Sequence, residues 1–175
     1  MAIILDTDVI IRGEKGTFDL RNWLTLHATE EIEIAAITVA ELWHGVERAS
    51  AEHRPRRQTY LETVFTFLPV IPYTDEIARE HARIWAEAEA AGKMTGYYDL
   101  IVAATARHRG GQLATFNRRH FEHIRGLNLG GALSASAHAP RQTKFLRGWG
   151  SFENHHAGCA AFTSHPARAG ECLWP

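Results

Sequence analysis

Cysteine is nearly missing from this chain. Among 175 residues there are two, Cys159 and Cys172, both close to the C-terminus. The main body therefore has no disulfide to staple it, which suits a reducing compartment. Long apolar runs are missing as well: none approaches the roughly 20 residues that a membrane-spanning helix needs. The N-terminus has neither the basic segment nor the small-residue cleavage site of a secretory signal. A cytoplasmic protein without membrane association is the expectation. There is also no excess of one charge. Lys and Arg number 19 against 20 Asp and Glu, a formal net charge of -1. Composition thus does not mark a general polyanion binder, and any phosphate contact falls to local patches. No internal repeat is found, which argues against a solenoid.

What remains is an ordinary globular composition, 45% apolar and 22% charged, of a length that suits one domain with a single core. Residues 2–6 read as a strand, a short apolar run rich in Ile. A helix is expected over 17–29, a strand over 32–37, and a helix over 38–49 with Thr38 as its N-cap. Further helices are expected over 55–67, 74–91 and 98–108, with an extended segment at 68–73 and a strand at 112–116. The segment 98–108 is apolar on nearly all sides and therefore buried. Strands alternating with helices predict the α/β class, a parallel sheet covered on both faces. From residue 133 the apolar periodicity stops, so the domain is taken as 1–132 and residues 133–175 as a weakly ordered extension. Its His155-His156-x-x-Cys159 run, with Cys172, matches no zinc spacing.

Three carboxylates stand out against this background: Asp6, Glu41 and Asp99. Each has a purely structural reading. Asp6 and Asp8 fit a turn after a strand. Glu41 completes a Thr38-x-x-Glu41 capping box, and Asp99 suits the first turn of a helix. Taken together they say more. Each lies at a strand end or helix start, on the sheet edge where α/β proteins carry their sites. Carboxylates brought together there must take up a proton or share a cation. A magnesium or manganese ion meets that need with oxygen ligands and neutralises charge on a phosphate.

At this point a resemblance enters. The segments ILDTDVII (4–11), ITVAELWHGVERA (37–49) and GYYDLIVAATARHRGGQLATFNRRHFEHIRGLNL (96–129) resemble the PIN domain, in particular bacterial toxin endonucleases of the VapC and FitB type. The likeness covers residues 1 to about 130. It implies a three-layer α/β/α fold around a parallel sheet of four to five strands. It also implies a metal-dependent endoribonuclease, the toxin of a type II toxin–antitoxin pair. Asp6, Asp99 and Glu41 take the metal-binding positions, with Mg²⁺ or Mn²⁺ as cofactor and Glu41 bound directly or through water. Asn117 stands where a fourth acidic residue is common in the family, and is counted with the catalytic set. Thr7 and Thr38 become hydroxyls that orient the carboxylates. Arg12, Arg118 and Arg119 are candidates for contact with RNA phosphates. The implied partners are the RNA substrate, a VapB-like antitoxin and a second copy of the chain in a homodimer. The antitoxin would place a basic side chain among the carboxylates.

Two other readings stay open on the sequence. A catalytically degenerate fold would keep partner binding alone. Alternatively, DTDVI (6–10) partly fits the start of aspartyl-nucleophile phosphatases, with Asp6 phosphorylated and Asp8 as general acid. The substitution Asp8→Asn separates that chemistry from a PIN nuclease. Turnover assays should show near-complete loss for a phosphatase and retention of most activity for a nuclease.

Overall fold

The computed structural model describes residues 2–130 and 133. Apart from Leu133, which packs against the core, the extension expected at 133–175 lies outside the described residues, as do its histidines and cysteines.

At the centre lies β1 (Ala2–Leu5), with all four residues buried. Ile3 and Leu5 enter one apolar cluster and Ile4 the other. A strand covered on both faces reads as a continuous apolar run, which is what AIIL is. The sheet continues with β2 (Glu31–Ala35), β3 (Val70–Ile71), β4 (Gln112–Ala114) and β5 (Asn128–Leu129). The strand order is β3-β2-β1-β4-β5, and every pairing is parallel.

Helices α1 (Thr7–Glu14), α2 (Leu20–Leu26), α3 (Ala36–Glu47) and α4 (Arg54–Phe65) cover one face. There Val9, Ile10, Leu20, Leu42, Val46, Leu61 and Val64 pack on Ile3 and Leu5. Helices α5 (Asp75–Ala90) and α6 (Tyr97–His108) cover the other. Ile77, Ile84, Leu100 and Val102 pack there with Ile4. The fold is the expected three-layer α/β/α arrangement, with the upper of the two strand counts. Among the described residues no helix is long and apolar enough to cross a membrane.

Strand order places the site. From β1 the sheet runs to β2 on one side and to β4 on the other. Such a switch point opens a crevice beyond the carboxyl ends of the strands. Leu5 is level with both Ile34 and Ala114, so the three central strands end together.

Several local expectations change. Residues 7–14 form α1, which the sequence reading did not foresee. The β-branched run Val9-Ile10-Ile11 looks like more strand, whereas Asp6 caps a helix there by accepting from Thr7 N–H at 2.7 Å. The helix expected over 17–29 shrinks to α2, capped by Asp19, which accepts from Asn22 N–H. Helix α3 begins at Ala36, because β2 passes straight into it. Thr38 is thus inside the first turn and is not its N-cap, and the cap residue Ala35 makes no side-chain bond. The capping box does not form. The strand expected over 112–116 ends at Ala114, freeing Thr115 to Asn117 for the crevice.

The turn from α6 into β4 depends on two glycines. Gly110 has φ of 60° and, with Gly111, closes the helix: Gly110 N–H bonds Arg107 O and Gly111 N–H bonds Ala106 O. This is the left-handed helix stop that glycine favours. Gly111 serves a second purpose, since a Cβ there would lie 2.5 Å from the carbonyl oxygen of Ala2. The neighbour is backbone of the central strand and has little room to give. Gly111→Ala is expected to destabilise the protein by about 1–3 kcal/mol, the usual cost of overpacking. Urea unfolding measures this, and an unchanged midpoint would show that β1 yields freely.

Candidate active site

Asp6 follows β1 at the switch point and is buried, 7% exposed. Its Oδ1 accepts from Thr7 N–H and its Oδ2 from the Thr115 hydroxyl, both at 2.7 Å. Asp6 N–H in turn bonds Ala114 O. The carboxylate is therefore held between the end of β1 and the end of β4.

Glu41 lies one turn into α3 and is half-buried. The Thr7 hydroxyl donates to its Oε2 at 2.6 Å, which ties α3 to the start of α1. Asp99 sits in the first turn of α6, and its Oδ2 meets His120 Nδ1 at 3.0 Å. Asp8 is used differently: both of its oxygens accept from Phe116 N–H, at 3.3 and 3.1 Å. It fixes the chain leaving β4, which is a poor posture for the proton-transfer role of the phosphatase reading.

Charge in this crevice is poorly neutralised. The Asp6 carboxyl is pushed up to about 7, chiefly by burial. Its two hydrogen bonds oppose this, and the charges of Asp8 and Asp99 add to it. Burial also raises Glu41, opposed by the Thr7 hydroxyl and assisted by Asp99. Asp8 is raised by burial too, against the Phe116 N–H and the nearby Arg12 guanidinium. Among the described residues, no cation counters the burial of Asp6 or Glu41. Among the described residues, the fully buried hydroxyl of Thr38, a turn before Glu41, makes no hydrogen bond.

The structure thus brings Asp6, Glu41 and Asp99 to one edge, near enough for Asp99 to act on the other two. Among the described residues, no three carboxylate, imidazole or thiol side chains are drawn together tightly enough to ligate one ion outright. Of the two threonines, Thr7 bonds Glu41. Thr38 bonds neither carboxylate, because its place in the helix directs it into the protein interior. Asn117 follows β4 beside the crevice, its N–H bonding the Thr115 hydroxyl. Arg12 lies over the Phe116 ring, 4.4 Å from its centroid. Arg118 donates to Gly130 O and so serves the β5 turn, while Arg119 is exposed. Two contributors were absent from the sequence reading, Thr115 and His120. Thr115 had no signal, because it falls inside the strand expected over 112–116; His120 had none beyond its nearness to Asn117.

Relatives accord with this geometry. The PIN domain profile matches residues 3–127. The chain belongs to the PIN domain family. Ribonuclease VapC1 of Rickettsia felis is 30% identical over 130 residues, 74% of this chain and 95% of that protein. The tRNA(fMet)-specific endonuclease VapC of Salmonella typhimurium is 33% identical over 130 residues, 74% and 96% of the two chains. Among solved structures, DNA-bound VapBC from Salmonella typhimurium gives a TM-score of 0.69 at 30% identity, over 74% of this chain and 97% of that one. VapBC2 of Rickettsia felis, bound to a promoter DNA fragment, gives 0.70 at 26% identity, over 74% and 98%. The PIN domain match spans Asp6, Glu41, Asp99 and Asn117 alike.

Burial of Asp6 makes a pH-dependent prediction. Its folded value lies above the unfolded one of 3.8, so its protonation favours the fold fully at acid pH, and that contribution is lost as pH rises through about 7. In chelator, the PIN domain should lose stability relative to Asp6→Asn between roughly pH 4 and 8, by up to about 4 kcal/mol. Paired urea titrations across that range measure it. Parallel curves for the two proteins would contradict the burial argument.

Proposed function

We propose that this protein is a divalent-metal-dependent endoribonuclease, the toxin of a toxin–antitoxin pair, hydrolysing RNA phosphodiesters. The observation that carries this reading is the set of converging acids at the ends of β1 and β2 and the start of α6, with Asp6 and Glu41 raised by burial and by the charge of Asp99. Their relatives' names, ribonuclease and tRNA(fMet)-specific endonuclease, support the reaction class. Solved neighbours that are VapBC complexes support a VapB-like antitoxin as partner, and a homodimer is proposed on family likeness.

The residues present suit a magnesium or manganese ion. All the donors are hard carboxylate oxygens, and such ions keep several waters and take only one or two protein carboxylates directly. Asp6 and Asp99 would hold the ion, with Glu41 reaching it directly or through water. When bound, the ion would supply charge neutralisation at the phosphate and a more acidic water.

The protein's own groups do the positioning. Thr115 and Thr7 N–H fix both oxygens of Asp6, leaving its remaining lone pairs for the site. The Thr7 hydroxyl sets the rotamer of Glu41. His120 restrains Asp99 from the solvent side. The amide of Asn117 orients water or a phosphate oxygen at the mouth without adding negative charge. Arg12 and Arg119 meet the RNA backbone.

Cleavage of a single-stranded RNA by purified protein, free of contaminating nuclease, tests the proposal. Activity should require Mg²⁺ or Mn²⁺, vanish with chelator, and fall by about 10²–10³ in Asp6→Ala and Asp99→Ala. Thr115→Val should cost about 10- to 100-fold, as expected for a group that holds a metal ligand in place. Undiminished cleavage in chelator or by Asp99→Ala would overturn the assignment.

A further inference from the structure

Beside Asp99 lies a cleft of about 370 Å³, of whose lining the mechanism above uses only Arg119 and His120. One wall is the loop between α5 and α6, carrying Lys93, Thr95 and Gly96; the other carries Arg119, His120 and His123. The walls are pinned together. The Thr95 hydroxyl donates to His120 O at 3.0 Å. Its single hydrogen is then spent, so the 3.1 Å contact with His123 Nε2 has the imidazole N–H donating to Thr95. The cleft borders the acids directly: His120 Nδ1 is 3.0 Å from Asp99 Oδ2. Gly96 is so close that a Cβ there would lie 3.5 Å from the same oxygen.

Its charge is available. Arg107 and Arg109 are committed to Glu80 and Glu33. Among the described residues Lys93 and Arg119 make neither an ion pair nor a side-chain hydrogen bond. One acid, Glu122, lines the cleft against the two cations Lys93 and Arg119. Directly after Gly96 come Tyr97 and Tyr98, large aromatic side chains left 55% and 57% exposed. Cations tracking a backbone beside exposed aromatic rings are the combination that binds single-stranded nucleic acid, phosphates on the first and bases on the second.

We propose that this cleft seats a phosphate of single-stranded RNA next to the one that is cut, with Lys93 and Arg119 as its cations and Tyr98 stacking on an adjacent base. The inference rests on the ribonuclease reading and extends it. Lys93 and Tyr98 are then substrate-positioning residues, which no strand-end motif would reveal.

The experiment uses the full chain carrying Asp6→Asn, so that RNA is bound and left uncut. Affinity for a short single-stranded RNA is measured across a range of salt. Adding Lys93→Gln should weaken binding several-fold and reduce the slope of log Kd on log salt by about 0.7, the value for one lost phosphate contact on a single strand. Lys15→Gln, at the opposite end of α1 from Asp6, should leave the slope alone. Tyr98→Ala should weaken binding without changing the slope. Replacing single phosphates by neutral methylphosphonates should then identify one position, beside the cleavage site, that matters to the parent protein and no longer to Lys93→Gln. The inference falls if Lys93→Gln keeps the parental slope, or if no phosphate loses its effect in that variant. It also falls if Lys93→Gln changes the sedimentation of the protein while RNA affinity is unaltered, since the cleft would then be a contact between protein chains. Unmodified protein that cleaves RNA while the Lys93 result is negative leaves the nuclease reading standing. Protein that neither binds nor cleaves RNA overturns both.

Discussion

Everything about the site follows from one carboxylate kept out of water. Asp6 is fixed by a backbone N–H on one oxygen and the Thr115 hydroxyl on the other, at the point where the sheet changes direction. Two neutral donors are enough to place it and not enough to offset its burial, so its proton affinity rises. Glu41 is then tied to the same corner through Thr7, and Asp99 contributes its charge from α6. Position and electrostatic tension have the same origin.

Acids elsewhere in the fold are treated otherwise. Glu33, buried in the sheet, is gripped by both nitrogens of the Arg109 fork, at 2.9 and 2.7 Å. Glu14 pairs with Arg57, and Glu80 with Arg107. A planar guanidinium suits a carboxylate and neutralises it in place. At the strand-end edge the fold supplies hydroxyls and N–H groups to Asp6 and Glu41. The contrast within one molecule is a ground for the proposal that this edge takes a divalent cation. Pairing it internally, as at Glu33, would have been the stabilising choice.

Much of this was legible in the sequence, for physical reasons. A central parallel strand must be apolar on both faces, so AIIL identified β1 and placed Asp6 at its end. The near-uniformly apolar α6 announced its burial and placed Asp99 at its mouth. Helix α1 was hidden because Val9, Ile10 and Ile11 carry strand-like side chains, and a cap by Asp6 together with packing on Ile3 and Leu5 overrides that preference. Thr38 was misplaced because a capping motif assumes a loop before the helix, and β2 leaves none. Thr115 and His120 escaped because their partners lie 109 and 21 residues away along the chain, a distance at which spacing carries no signal. The phosphate cleft is of the same kind, with walls that meet only after the sheet has formed.

The placement of β1 bears on how the protein is made. Asp6 leaves the ribosome 109 residues ahead of Thr115, the hydroxyl that holds it beside β4. At ordinary translation speed that gap lasts roughly 5–20 s. Throughout it, the nascent chain carries Asp6 without the hydroxyl and the strand that hold it in place. Long-range pairing of this sort also slows folding after release. A fragment ending before residue 115 would lack the Thr115 donor and, if it ends before residue 112, the strand beside β1 as well. Competence thus comes late, with synthesis of the C-terminal half of the domain.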